Sequence, residues 1–331
     1  MINMIAIRGS GIAAKGCAYI LAGAGLRVAI EDIRRPSVPT IMLSDPALGL
    51  IRGVFDRPDL LCDHPRVKRR LVAWGGPPVM LPHGAVLASE DQVQAALPDV
   101  ARSDMPSADF TIHTMPPVPL GEMRIFGDRN AMAVKVKLRD LADGGEARIE
   151  AVADGWLYLV PTEAGAGWLL GVGGPIEALL AQSTLIAPVV DAVAMTSMAF
   201  LAAPRLHLPL HGEGWLACGT AALGFDPICG DGTAQSVREA ILAAAVVTAI
   251  AEGGDRGALL THYQSMLIAA MRRHLLLCAQ FYANGGTGDW WRSQHDALMQ
   301  GHHWCTGLLA KLPEPRFLLD GFRLVPRQAA A

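Results

Sequence analysis

Apolar positions along this chain change rhythm several times, and each change marks an element. Residues 4–8, Met-Ile-Ala-Ile-Arg, form a short apolar run that predicts a buried strand. A helix-like run follows to Ala24, Gly25 supplies a stop, and Leu26–Ile30 predicts a second strand ending in Glu31-Asp32. Later, Met132–Lys137, Ala147–Ala151, Gly155–Pro161 and Gly167–Val172 alternate like strands and suggest an antiparallel sheet. Trp215–Cys218 reads as another strand. It leads into an irregular glycine-rich turn and a long helix from Thr233 to Ala251. From Asp255 the pattern is helical, with a loop at Asn284–Asp289.

Composition narrows the class. A chain of 331 residues with 51% hydrophobic and 18% charged positions can bury a large core, as one large or two interleaved domains. The net charge of -3 and scattered basic residues exclude nucleic acid as a partner, and the short cluster Arg66–Arg70 reads as a solvated face. Six cysteines, Cys17, Cys62, Cys218, Cys229, Cys278 and Cys305, form no CxxC pair, so neither a zinc site nor a disulfide framework is expected. His302, His303 and Cys305 crowd one helical turn and cannot all aim at one ion, so no metal is expected there either. Mean hydropathy is +0.30. Yet the most apolar stretch, Ala240–Ala251, falls short of the roughly 20 residues a spanning helix needs. With no secretory leader in the pattern, a reducing, cytoplasmic setting is expected.

Two constellations carry chemistry. Residues 9–14, Gly-Ser-Gly-Ile-Ala-Ala, make a G-x-G-x-x-A turn between the first strand and its helix. Gly9 permits the tight turn, Gly11 lets backbone approach a pyrophosphate, and Ala14 allows close helix–strand packing. The helix N-terminus offers unpaired N–H groups to phosphate. Asp32, about 20 residues on, can bind an adenosine ribose hydroxyl, with Glu31 facing the other way. The plainer alternative is a βαβ unit whose glycines serve only packing.

The second constellation runs through Gly219, Thr220, Asp226, Pro227, Gly230, Gly232 and Thr233. Residues 221–234 resemble the flavoprotein monooxygenase and flavin-dependent halogenase superfamily, in which a strand, a G-D-A-A segment and a D-P-x-x-G-x-G turn precede a helix. That resemblance implies FAD, with the helix aiming its positive end at the flavin. It also implies an external reductant such as NAD(P)H or reduced flavin. One position departs: Thr220 stands where the family has an acid that holds the ribityl chain, which predicts weaker FAD retention.

The resemblance implies an α/β fold. A Rossmann-type FAD-binding domain (1–105 and 203–253) would be interleaved with an antiparallel-sheet substrate domain (106–202), followed by a C-terminal helical region (254–331). Trp156 and Tyr158 fall where halogenases carry W-x-W-x-I-P on the pocket strand, but the second Trp is missing. Lys68, ahead of Trp74, lacks the halogenase lysine's flanking residues, so halogenation is not expected. Among His83, His113 and His207, His113 is the preferred proton acceptor, on a strand expected to line the pocket. The chain is short for the superfamily, which suggests a wide pocket for a bulky aromatic or polypeptide substrate. The flavoproteins that mature tryptophylquinone cofactors have this character. Resemblance to them implies hydroxylation of a tryptophan within a protein, in a maturation complex. The alternatives are a reductase of the geranylgeranyl reductase type and a non-catalytic FAD-binding assembly partner.

Overall fold

A computed structural model describes residues 2–33, 35–100, 107–139, 145–163 and 165–327. The chain opens with β1 (Met4–Arg8), α1 (Gly11–Gly23) and β2 (Arg27–Glu31). β3 (Ile41–Ser44), α2 (Asp45–Phe55), β4 (Arg66–Ala73), β5 (Val79–Ala88), α3 (Glu90–Ala96) and β6 (Phe110–His113) follow. The middle holds β7 (Glu122–Ile125), β8 (Asn130–Leu138), β9 (Glu146–Val152), β10 (Gly155–Glu163), β11 (Ala166–Val172), α4 (Ile176–Leu180) and β12 (Val190–Leu201). After β13 (Arg205–Leu208), β14 (His211–Gly212), β15 (Trp215–Ala217) and β16 (Leu223–Gly224) come three long helices, α5 (Gly232–Ala251), α6 (Arg256–Gly285) and α7 (Asp289–Leu309). A hairpin, β17 (Phe317–Asp320) and β18 (Arg323–Pro326), ends the described chain.

Two sheets organise these elements. The first has the order β14-β15-β6-β1-β2, with β2, β1, β6 and β15 parallel, as a βαβ unit requires. Ile5 and Ile7 are fully buried at its centre. The second has eight strands, β12-β8-β11-β10-β9-β4-β5-β3, antiparallel except where β4 meets β9. α1 and α5 pack through small residues. An added Cβ at Gly16 would lie 3.0 Å from that of Ala240, so any larger residue there would push the helices apart.

The α/β architecture, the interleaving and the long C-terminal helices match the expectation, but strand membership does not follow linear boundaries. β3, β4 and β5, expected in the FAD-binding segment, belong to the antiparallel sheet. β6, expected in the substrate sheet, is wedged between β1 and β15. A strand joins the sheet its connections can reach, and the β4–β9 pairing bridges positions far apart in sequence. The expected boundary at 105/106 lies outside the described residues. Arg66–Arg70 is part of β4, with Arg66 paired to Asp45 and Arg69 to Glu146, rather than a bare solvated cluster. The expected helical C-terminus also contains the β17–β18 hairpin. α5 is long and apolar enough to cross a membrane by length and composition, yet 72% of that window is buried, as in a core helix.

Candidate functional site

The first glycine turn sits at the carboxyl end of the parallel sheet, where open α/β sheets bind ligands. Gly9 and Gly11 take φ of +134° and +83°, a region closed to most side chains. Gly9 N donates to Glu31 O at 2.9 Å, and Thr114 N to Arg8 O at 2.8 Å. A Cβ at Gly9 would meet Thr114 Oγ1 at 2.3 Å. Only glycine fits. Ala14 is buried inside α1, as the packing argument requires.

The α1 N-terminus lacks a side-chain cap. The Ser10 hydroxyl turns to Met115 Sδ at 3.2 Å, and no acid occupies the first turn. By contrast α2, α3 and α6 are capped by Ser44, Ser89 and Asp255. Beside the uncapped end, Glu90 Oε1 lies 3.3 Å and Arg35 Nη2 3.8 Å from the position a Gly11 Cβ would take, and the two are ion-paired. Glu90 also accepts from Val38 N at 2.9 Å and Gln94 Nε2 at 3.2 Å. The Arg35 cation and the uncapped helix end suit an anion, with the Glu90 carboxylate partly offsetting them. Asp32 is exposed, one residue past β2. Glu31, expected on the other face from Asp32, pairs across the register with Arg8, with contacts of 2.8 and 3.0 Å.

The second turn meets the first. Gly219, at φ +57°, would set a Cβ 2.9 Å from that of Ala13 on α1. Its N–H donates to Glu239 Oε2 at 2.9 Å. Burial pushes the Glu239 carboxyl up to about 8, against the lowering bonds from Gly219 and Gln235. Thr220 is exposed and donates its hydroxyl to Thr114 O at 3.2 Å. The Asp226 carboxylate is turned inward: it pairs with Arg129 Nε at 2.9 Å, both side chains fully buried. It also accepts from Tyr282 Oη at 3.0 Å and Ile228 N at 3.1 Å, while Asp226 N donates to His274 Nε2 at 2.8 Å. Arg129 continues to Gln294 Oε1 at 2.8 Å and stacks 4.7 Å over the Tyr282 ring. Asp226 and Pro227 thus anchor the turn. Gly230 (φ +63°) and Gly232 are open, since a Cβ at either meets nothing within 4 Å. α5, with Thr233 in its first turn, is likewise uncapped, because Asp231 turns to Arg238 Nη1 at 2.6 Å.

Other expected residues lie elsewhere. His113 ends β6 in the parallel sheet, not on a pocket strand. It is 2% exposed, its ring is edge-on to Trp215, and Nδ1 lacks a partner among the described residues. Burial, then Arg8, lowers its pKa. Trp156 is 1% exposed and donates to Tyr282 Oη at 3.1 Å, in a cluster with Trp74, Trp290 and Trp291. Where a wide pocket is expected, β10 therefore presents core, because these rings bury large apolar areas against α6 and α7. Tyr158 is half-buried, with Oη on Met42 Sδ at 3.1 Å, and burial raises its phenol. Sequence reasoning missed Arg35, Glu90, Arg129, Glu239 and His274. Their partners are distant in sequence, and no local pattern marks them.

Both turns pair left-handed glycines with an uncapped helix end, and the second leaves an open backbone edge at Gly230 and Gly232. Together with the two sheets they define a fold of the FAD-binding halogenase kind. Among solved structures, the chain is similar to QhpG, a peptidyl tryptophan dihydroxylase essential for tryptophylquinone cofactor biogenesis. The TM-score is 0.76 at 19% identity, over 99% of this chain and 86% of that one. It is also similar to CmlS, a flavin-dependent halogenase (TM-score 0.73, 15% identity, 94% and 72% covered). A third is the myxobacterial chondrochloren halogenase CndH (0.70, 14%, 95% and 90%). No protein family and no curated protein matches the sequence.

Proposed function

We propose that this chain is an FAD-dependent monooxygenase that hydroxylates an electron-rich aromatic ring, a tryptophan within a polypeptide. The observation that carries this reading is the meeting of two glycine turns, each ahead of an uncapped helix. Gly9, Gly11 and Ala14 would hold the pyrophosphate, with Arg35 alongside. Asp32, one residue past β2, would take the adenosine ribose, and Thr220 would stand toward the ribityl chain. Gly230, Gly232 and Thr233 would admit the flavin ring against the positive end of α5. Bound and reduced, flavin supplies activation of dioxygen for oxygen-atom transfer.

The chain's own residues do the rest. Asp226 and Arg129 hold the second turn rigid, and the Trp156–Tyr282 cluster keeps water from its rear. His113 is buried in the parallel sheet at the end of β6, edge-on to Trp215, and no role as proton acceptor is proposed for it. The likeness to QhpG supports a polypeptide substrate. The reductant would be external, NAD(P)H or reduced flavin, and six free thiols suit a cytoplasmic, reducing setting.

The test is to add FAD and a reductant and follow dioxygen uptake and peroxide release with and without tryptophan-containing polypeptides. Substrate-dependent gain of oxygen mass is the expected result. Chlorine incorporation would make the chain a halogenase, and hydrogenation of an isoprenoid without dioxygen uptake would make it a reductase. Failure to bind FAD would end the proposal.

A further inference from the structure

Cys229 stands inside the second turn, and Cys278 stands on α6; their sulfurs lie 3.6 Å apart. Cys278 Sγ is 3.3 Å from His274 Nε2, and the donor atoms of Cys229, His274 and Cys278 all lie within 4.8 Å of one another. Such a cluster suits either a soft metal ion or a redox-active dithiol. The histidine decides between them. Its Nε2 already accepts the buried Asp226 N–H at 2.8 Å, so a metal on that lone pair would orphan a buried donor. The two sulfurs remain available.

They are unlike. Cys229 is partly exposed, and Cys278 is fully buried. With Cys278 as the donor of the two sulfurs, its thiol draws Cys229 down to about 6, against burial; His274 helps and Asp226 opposes. Burial, then that donated bond, pushes Cys278 well up, with Asp226 raising and Arg129 lowering it. One sulfur is thus a reachable thiolate at neutral pH, with a protonated thiol in contact behind it. That is the arrangement of an attacking and a resolving cysteine.

We propose that Cys229 and Cys278 form a peroxide-reactive dithiol that closes to a disulfide and ties the second glycine turn to α6. The Cys229 thiolate attacks one oxygen of hydrogen peroxide; the S–O bond forms, the O–O bond breaks, and the leaving hydroxide takes a proton to become water. Cys278, losing its proton, attacks the Cys229 sulfur. The S–S bond forms, the S–O bond breaks, and a second water leaves. The two thiols give up two electrons and two protons, and peroxide is reduced to two waters. An external thiol reverses the change. That the clamped turn faces a flavin rests on the function proposed above; the thiol chemistry does not.

The experiment treats the purified chain, with and without FAD, with stoichiometric hydrogen peroxide and maps its peptides. A Cys229–Cys278 crosslink is expected, reversed by dithiothreitol and formed at least about tenfold faster than oxidation of the exposed Cys62. C278S should accumulate a Cys229 sulfenic acid that dimedone traps. C229S, at the more exposed position, should leave Cys278 reduced and serves if C278S does not fold. Oxidation of Cys62 at an equal rate, or no crosslink, overturns the proposal. So does stoichiometric zinc that protects all three residues until it is chelated. A crosslink in a chain that binds no FAD would leave the dithiol standing and remove the flavin reading alone.

Discussion

At the first glycine turn the chain is pinned by backbone: Gly9 donates to Glu31 O, Thr114 to Arg8 O, and a steric wall at Thr114 Oγ1 admits only glycine. At the second turn it is pinned by buried side chains, Arg129, Tyr282 and His274 around Asp226, and Glu239 beneath Gly219. The comparison teaches that similar glycine patterns are secured by different physics. A turn at the end of a parallel sheet inherits its shape from strand register. A turn that runs on past the sheet edge, as residues 226–232 do beyond β15, must be tied down by polar groups whose desolvation demands partners. The first should therefore fail by steric clash, and the second by orphaned charge.

The largest expected effect lies in the second turn. R129M leaves the Asp226 carboxylate buried and unpaired, and should lower stability by about 3–5 kcal/mol in urea unfolding. R129M/D226N should recover most of that loss. If R129M unfolds at the wild-type midpoint, the contrast is broken.

Glu239 sharpens it through pH. Its folded pKa of about 8 lies above its ordinary 4.5, so its contribution is full below about 4.5 and is lost as pH rises through 8. Thermal melts of wild type should weaken across that window, and E239Q should flatten the slope. An unchanged slope in E239Q would mean that another group carries it.

At the first turn, G9A should cost about 1–3 kcal/mol through clash and positive φ, with FAD affinity lost alongside. T220D, which returns a carboxylate to the exposed position, should tighten FAD about tenfold, near 1.4 kcal/mol, in a fluorescence titration. The smallest stability effect belongs to G232A, within about 0.5 kcal/mol because its Cβ meets nothing. Its whole effect should fall on FAD binding. Equal FAD affinity in G232A and wild type would mean that no ligand approaches this edge.

Much of this was legible in the chain. β1, α1 and β2 follow from apolar runs and a glycine stop, and β8 to β11 and α5 fall within a few residues of the predicted spans. β4 and β5 were not legible. Arg66–Arg70 reads as a charged cluster, because the β5 and β9 ladders that make it strand, and the Asp45 and Glu146 that pair its charges, come from elsewhere. Trp156 reads as a pocket wall by motif position, but the groups that meet it, Trp74 just past β4 and Tyr282 on α6, come from distant segments. His113 reads as pocket-lining for a similar reason: its tetrapeptide strand carries no mark of which sheet will take it.

By itself the sequence determined the two glycine turns, the helices they launch and the α/β class, because steric permission at glycine and apolar periodicity act within a few residues. Only the tertiary structure decided what encloses those turns. It brought Arg35 to the first, sealed Asp226 against Arg129 at the second, and set two cysteines from distant segments sulfur to sulfur. Buried charges and thiols take their chemistry from neighbours in space, and those neighbours are chosen by packing across the whole core.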